Sequence, residues 1–193
     1  MNPLRVMLID ESRGRAALLE QALADAGHRV VGRFDAGDDL QGRIKDVRPD
    51  IVLIDMESPG RDILEHLRLL NAETPHPIVL FAEQSDGTMA VEAIKAGVSA
   101  YVVDGLQPHR LKDIMAVAIA RFREYQALRR ELEETRSRLA ERKVIEKAKG
   151  MLMARKGLSE EEAYRSLRKM AMDRNQRLGE VAQNVIALLE LLA

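Results

Sequence analysis

Two sets of side chains in this chain of 193 residues could do chemistry, and they carry opposite charge. The acidic set is Asp10 and Glu11, which follow the apolar run Leu4 to Ile9, together with Asp55, which closes the run Ile51 to Ile54. Carboxylates at the ends of buried strands would converge, and oxygen ligands of that kind suit Mg²⁺, with Asp55 available as a nucleophile toward a phosphoryl donor. Acids in separate solvated loops would have no such joint chemistry. The basic set is Lys147, Lys149, Arg155, Lys156, Arg165, Arg168, Lys169 and Arg174, cations that could neutralise phosphates. Tyr164, Asn175 and Gln176 lie among them. A ring can stack on an unpaired base and an amide can bond a base edge, as recognition of single-stranded loops requires. The plainer alternatives are a solvated, charged helix surface and a half-buried core tyrosine.

Net charge is −1, but it is unevenly divided: residues 1–110 hold 12 Lys+Arg against 18 Asp+Glu, and residues 111–193 hold 18 against 13. A basic C-terminal part on an acidic N-terminal part implies that only the former meets a polyanion. There is no cysteine, which excludes disulfides and thiolate metal sites and suits a reducing compartment. The four histidines show no ligand spacing. No apolar run approaches the roughly 20 residues needed to span a bilayer, so the expected location is the cytoplasm, without a membrane partner. No nucleophile–base pair or intact cofactor loop is present, so the chain reads as a non-enzyme that requires no cofactor.

The elements that must position these groups follow from hydrophobic period. Strand candidates near residues 4–9, 29–34, 50–55, 77–81 and 99–103 alternate with helical segments near 13–26, 37–47, 61–72 and 86–96. Such alternation predicts an α/β, flavodoxin-like domain with a five-stranded parallel sheet covered on both faces and its crevice at the carboxyl ends of the strands. From Leu111 to about Arg155 one helical pattern runs with Gly150 as its sole Gly or Pro. A heptad seam can be read through Leu111, Ile114, Ala118, Arg121, Tyr125, Leu128, Leu132, Thr135 and Leu139, with Arg121 and Thr135 weakening it. It predicts either a short dimeric coiled coil or a helix docked on its own sheet. Gly157 then predicts a helix stop, and Leu158-Ser159-Glu160-Glu161-Glu162 a capped restart. A second helix presents Ala163, Leu167, Met170 and Ala171. A third, from about Leu178, presents Val181, Ala182, Val185, Leu188, Leu189 and Leu192, enough for three helices to enclose a small core with Ile145, Ala148, Leu152 and Met153.

The string Ile145 to Met153 (IEKAKGMLM), with Glu162-Ala163-Tyr164, Leu167-Arg168 and Leu178-Gly179-Glu180-Val181-Ala182, resembles the ANTAR domain. Asp10, Glu11, Asp55, Pro59 and the segment Ala96 to Tyr101 resemble the receiver domain of response regulators. The resemblance implies a receiver-like domain over residues 1–120, a coiled-coil linker helix over 111–139 and an RNA-binding ANTAR domain over 140–193. The layout is similar to the AmiR/NasT type of antitermination regulator. The segments RPDIVLIDMESPGRD, SAYVVDG and AERKVIEKAKG look most like NasT regulators of nitrate and nitrite assimilation. Such a regulator holds a leader-mRNA hairpin, acts as a homodimer, and is sequestered by a nitrate-responsive sensor protein. Asp55 would be the phospho-acceptor, vestigial or optional, and Mg²⁺ a possible guest at Asp10, Glu11 and Asp55.

The likeness fails where receivers switch. The family expects Ser or Thr after the fourth strand and Lys after the fifth, and this chain has Ala82 and Asp104. A carboxylate in place of a cation disfavours a phosphoryl dianion, and without hydroxyl and ammonium contacts no differential interaction remains to shift a conformational equilibrium. Two other functions compete with RNA binding: a DNA-binding response regulator, and a phosphorylation-dependent signalling hub. The DNA reading needs a basic third helix, yet Leu178 to Leu192 carries only Glu180 and Glu190 as charges. The hub leaves the basic excess unexplained.

Overall fold

The computed structural model describes residues 3–10, 13–84, 87–105 and 107–191. They form two compact units, residues 1–126 and 127–193.

In the first unit the strands β1 (Arg5–Asp10), β2 (Arg29–Phe34), β3 (Ile51–Met56), β4 (Ile78–Ala82) and β5 (Ala100–Val103) alternate with the helices α1 (Arg13–Asp25), α2 (Leu40–Val47), α3 (Arg61–Glu73) and α4 (Gly87–Lys95). All pairings are parallel, in the order β2-β1-β3-β4-β5. The order follows from composition: β3 (IVLIDM) and β4 (IVLFA) are buried at every position, as a strand covered on both faces must be, whereas β2 and β5 are only half covered and take the edges. Alternate residues feed two cores. Val52 and Ile54 join Ile44, Leu67, Leu70 and Ala93 on the face covered by α2, α3 and α4. Ile51, Leu53, Val79 and Phe81 join Leu19 and Leu23 of α1 on the other.

After a 3₁₀ turn at Pro108–Arg110, helix α5 runs from Leu111 to Lys156, followed by α6 (Glu160–Arg174) and α7 (Leu178–Leu191). The first turns of α5 complete the second sheet face, with Leu111, Met115 and Ala118 fully buried and Ile114 packed beside them. This corrects the expected seam: its members Leu111, Ile114 and Ala118 dock on the sheet and cannot belong to a coiled coil. The reason is the apolar side of β1, β3 and β4, which α1 alone does not cover.

In the second unit, α6 begins where expected. Gly157 sits at φ +67 after the last turn of α5, and Ser159 and Glu162 form a reciprocal capping box. Ala148 and Leu152 of α5 pack with Ala163, Leu167 and Ala171 of α6 and with Val181, Ala182 and Leu189 of α7. Two expectations fail here. Met153 and Leu188 are exposed, and Met151 and Ile186 pack against the core instead. Each replacement lies two residues away, where a small rotation of the helix brings it inward. Among the described residues no helix is long and apolar enough to cross a membrane.

Candidate nucleic-acid interface

The acidic crevice lies at the carboxyl ends of the strands. Asp10 and Asp55 are paired across β1 and β3, and both are buried. Glu11 lies outside the described residues. A cavity of about 350 Å³ is lined by Asp55, Glu83 and Asp104 with Leu18, Leu19 and Pro108, and among the described residues no Lys or Arg lines it. Glu83 is an acid that sequence reasoning missed; its position directly after the apolar run of β4 was the available signal. Ala82 ends β4, fully buried, and Asp104 follows β5 in the left-handed region at φ 70, which Asp tolerates better than most residues. The two positions expected to read a phosphate thus hold a methyl group and a carboxylate. Asp10 and Asp55 supply the oxygen donors that a hard divalent cation prefers, but no group of three His, Cys, Asp or Glu placed to hold a metal occurs among the described residues.

The basic set divides by contact. Lys149 is 7% exposed; its Nζ donates to Glu146 Oε1 at 2.9 Å and to Glu160 Oε1 at 2.8 Å. The hydrogen bond to Glu160, and then that to Glu146, raises its pKa, and Lys149 lowers that of Glu160. The expected solvent-facing phosphate contact is corrected on this point: beside the core residue Ala148, Lys149 points at the first turn of α6 and ties that helix to α5. Lys147 bonds Glu190 of α7 at 2.7 Å, with both side chains more than half exposed. Arg165 pairs with Glu161 one turn back at 2.5 Å. Arg155, Lys156, Arg168, Lys169 and Arg174 are exposed and make no ion pair with any described residue.

Five positions along α6, from Tyr164 through Arg168, Ala171 and Met172 to Asn175, recur at helical spacing and line one side of an open groove of about 530 Å³. Gln176, Arg177 and Leu178 line the other, in the turn to α7. The turn is set by Asn175, whose left-handed backbone (φ 51) caps α6 through its N–H to Ala171 and Met172 carbonyls. Tyr164 is 42% exposed and Met172 72% exposed, so neither is a core side chain. Met172 was missed by sequence reasoning, because a methionine in an amphipathic helix reads as core. Ala148 is fully buried and packs α5 against its neighbours, whereas Gly150 is exposed and a Cβ there would meet nothing within 4 Å.

Comparison with known proteins bears on both units. The response regulator receiver domain matches residues 6–116, and the ANTAR domain matches residues 133–186. The transcriptional regulatory protein PdtaR of Mycobacterium tuberculosis is 29% identical over 187 residues, covering 97% of this chain and 91% of that protein. The nitrate regulatory protein of Klebsiella oxytoca is 41% identical over 178 residues, covering 92% of this chain but only 39% of that protein. Among solved structures, the signal receiver domain of a modulated diguanylate cyclase from Desulfovibrio desulfuricans G20 superposes with a TM-score of 0.56 at 26% identity, over 64% of this chain and 99% of that one.

Proposed function

This chain belongs to the response-regulator receiver family and carries an ANTAR domain, and from that premise we propose that it is an RNA-binding antitermination regulator acting on leader-mRNA hairpins. The observation that carries the reading is the α6 groove. An exposed ring, an exposed thioether, a capping amide and the guanidiniums of Arg168 and Arg177, neither in an ion pair with a described residue, share one open surface, the combination that unstacked loop bases on a phosphate backbone require. Arg155, Lys156, Lys169 and Arg174 extend the positive surface, and Lys147 and Arg165 contribute once their carboxylate partners are exchanged for phosphates.

DNA binding through α7 is disfavoured: Val181, Ala182 and Leu189 are buried, and of its two acids Glu190 is engaged with Lys147. Phosphorylation-driven switching is disfavoured by the crevice, where Asp55 shares its cavity with Glu83 and Asp104 and like charges oppose a phosphoryl dianion. Mg²⁺, if bound, would be held through Asp10 and Asp55 and would offset part of that repulsion.

Control by a sensor protein replaces control by phosphate in this reading. The name of the Klebsiella oxytoca relative, a nitrate regulatory protein, supports nitrate as the signal, and the resemblance to NasT regulators extends the reading to nitrate and nitrite assimilation. The protein works in the cytoplasm, as a dimer when active. Titration of the full chain with a hairpin leader RNA and with duplex DNA of matched length, at one stated salt concentration, tests the proposal. RNA should bind in clear preference; equal affinity for both would leave only nonspecific polyanion binding, and preference for duplex DNA would restore the competing function.

A further inference from the structure

The chain contains nine methionines and no cysteine, so any sulfur chemistry it has falls to thioethers. The fold sorts them. Met7, Met56 and Met115 are buried at 5% exposure or less, and Met89, Met151 and Met170 are partly buried against the apolar cores. Met1 lies outside the described residues. Met153 is 38% exposed and Met172 72% exposed. Packing keeps oxidants from a core sulfur, whereas a solvated thioether is open to them.

Met172 also differs from Met153 in what surrounds it. It lines the α6 groove together with Arg168, which stands four residues back on the same helix face, the spacing at which helical side chains meet. Arg168 makes no ion pair with any described residue, so its guanidinium donors are open to a strong acceptor. A thioether is a weak one. We propose that Met172 is a site of reversible oxidation by hydroperoxides, and that its sulfoxide oxygen engages the Arg168 guanidinium and withdraws it from RNA phosphate. The loss of RNA rests on the reading given above; the oxidation and the pairing with Arg168 do not.

The step is a two-electron oxygen transfer. A lone pair on the Met172 sulfur attacks the terminal oxygen of the hydroperoxide. The S–O bond forms as the O–O bond breaks, and the leaving oxygen takes the proton of the transferred one, departing as water or an alcohol. Sulfur is oxidised and the hydroperoxide reduced. A flexible apolar side chain thereby becomes a polar, chiral one, and its oxygen accepts a charge-assisted hydrogen bond across one turn of α6. Enzymatic reduction returns the thioether, and its high exposure leaves the group within a reductase's reach.

Full-length protein treated with graded hydrogen peroxide provides three readings. By fragment-ion mass spectrometry, Met172 should gain oxygen before Met153 and before the covered methionines; oxidation of Met153 as early as Met172 overturns the site. Without RNA, the Arg168 Nε–H resonance should move on oxidation of the wild type and stay in place in Met172→Leu; no movement in the wild type overturns the pairing. In titration with the hairpin leader RNA, the oxidised protein should bind about tenfold or more weakly, with a salt slope shallower by about 0.7–0.9 as one phosphate contact is lost. Treatment with the two methionine sulfoxide reductases, one for each epimer, should return both to their starting values. Met172→Leu, whatever its own affinity, should bind RNA equally before and after peroxide, and Met153→Leu should respond as the wild type does. Unchanged binding by the oxidised wild type, or an equal loss in Met172→Leu, overturns the effect on the groove. If untreated protein shows no preference for RNA, the groove reading fails, and the mass spectra and the Arg168 resonance still decide the modification.

Discussion

Replacing Tyr164 tests the groove most directly, because stacking and packing leave different traces. The ring is 42% exposed and lies outside the unit's apolar core. Fully buried aromatic-to-alanine changes cost roughly 3–5 kcal/mol, so a ring with little more than half its surface covered, at the edge of an open groove, should cost no more than about 2 kcal/mol of folding stability. That lowers the melting temperature while leaving the protein folded at 25 °C. A base stacked on the ring contributes roughly 1–3 kcal/mol, so Tyr164→Ala should weaken hairpin-RNA binding by about 5- to 150-fold. Stacking carries no charge, so the slope of log K against log[salt] should stay at its wild-type value. Tyr164→Phe keeps the ring and should restore affinity to within about twofold. The assay is fluorescence titration at several salt concentrations alongside a melting curve for each variant. Wild-type affinity in a folded Tyr164→Ala protein would refute the groove as the reading surface, and a loss equal in Tyr164→Phe would place the effect on the hydroxyl instead of the ring.

Arg168→Ala and Lys149→Ala should differ in kind: the exposed, unpaired Arg168 should leave the melting temperature nearly unchanged and make the salt slope shallower by about 0.7–0.9 per phosphate contact. Lys149→Ala, which leaves Glu146 and Glu160 without their shared cation, should lower the melting temperature and keep the slope of the folded protein; the reverse pattern for the pair would show the assignment to be wrong. Asp55→Asn should retain antitermination in a leader-fused reporter, and loss of activity in a stably folded variant would mean that the acidic crevice is used. His28 supplies a pH test. Burial first, and nearby positive charge including that of Lys112, lower its pKa below 6.5, and Nδ1 accepts from the Leu4 N–H. Above pH 6.5 the imidazole is neutral in folded and unfolded chains alike. Below it the unfolded chain takes up a proton that the folded chain resists, so stability should fall as pH drops through 6.5 and on toward the folded pKa. His28→Gln should flatten that part of a melting-temperature profile, and an unchanged slope would assign it to other groups.

Much of this molecule is determined by local sequence. The five-stranded sheet is visible because strand and helix periods differ and β3 and β4 are apolar at nearly every position. The Gly157 stop and the Ser159–Glu162 box are local too, since a cap is made by residues three apart. Ala82 and Asp104 could be located by counting along the chain, because strand ends fix the crevice. Which face each helix turns inward is a different kind of fact. Lys147 and Lys149 flank Ala148, and the sequence does not distinguish them, yet one is buried against Glu160, 11 residues away, and the other is half exposed beside Glu190, 43 residues away. The seam of α5 likewise reads as one stripe until the uncovered side of β1, β3 and β4 takes Leu111 and Ala118 and leaves Tyr125 to Leu139 in solvent. Glu83 joins Asp55 and Asp104 only because three strand ends meet, and Tyr164 and Met172, which helical spacing alone sets on one face of α6, border a groove only because of the turn at Asn175. Caps and strand periods are satisfied within a few residues, whereas burial of a cation or exposure of an apolar stripe depends on what distant segments place against it.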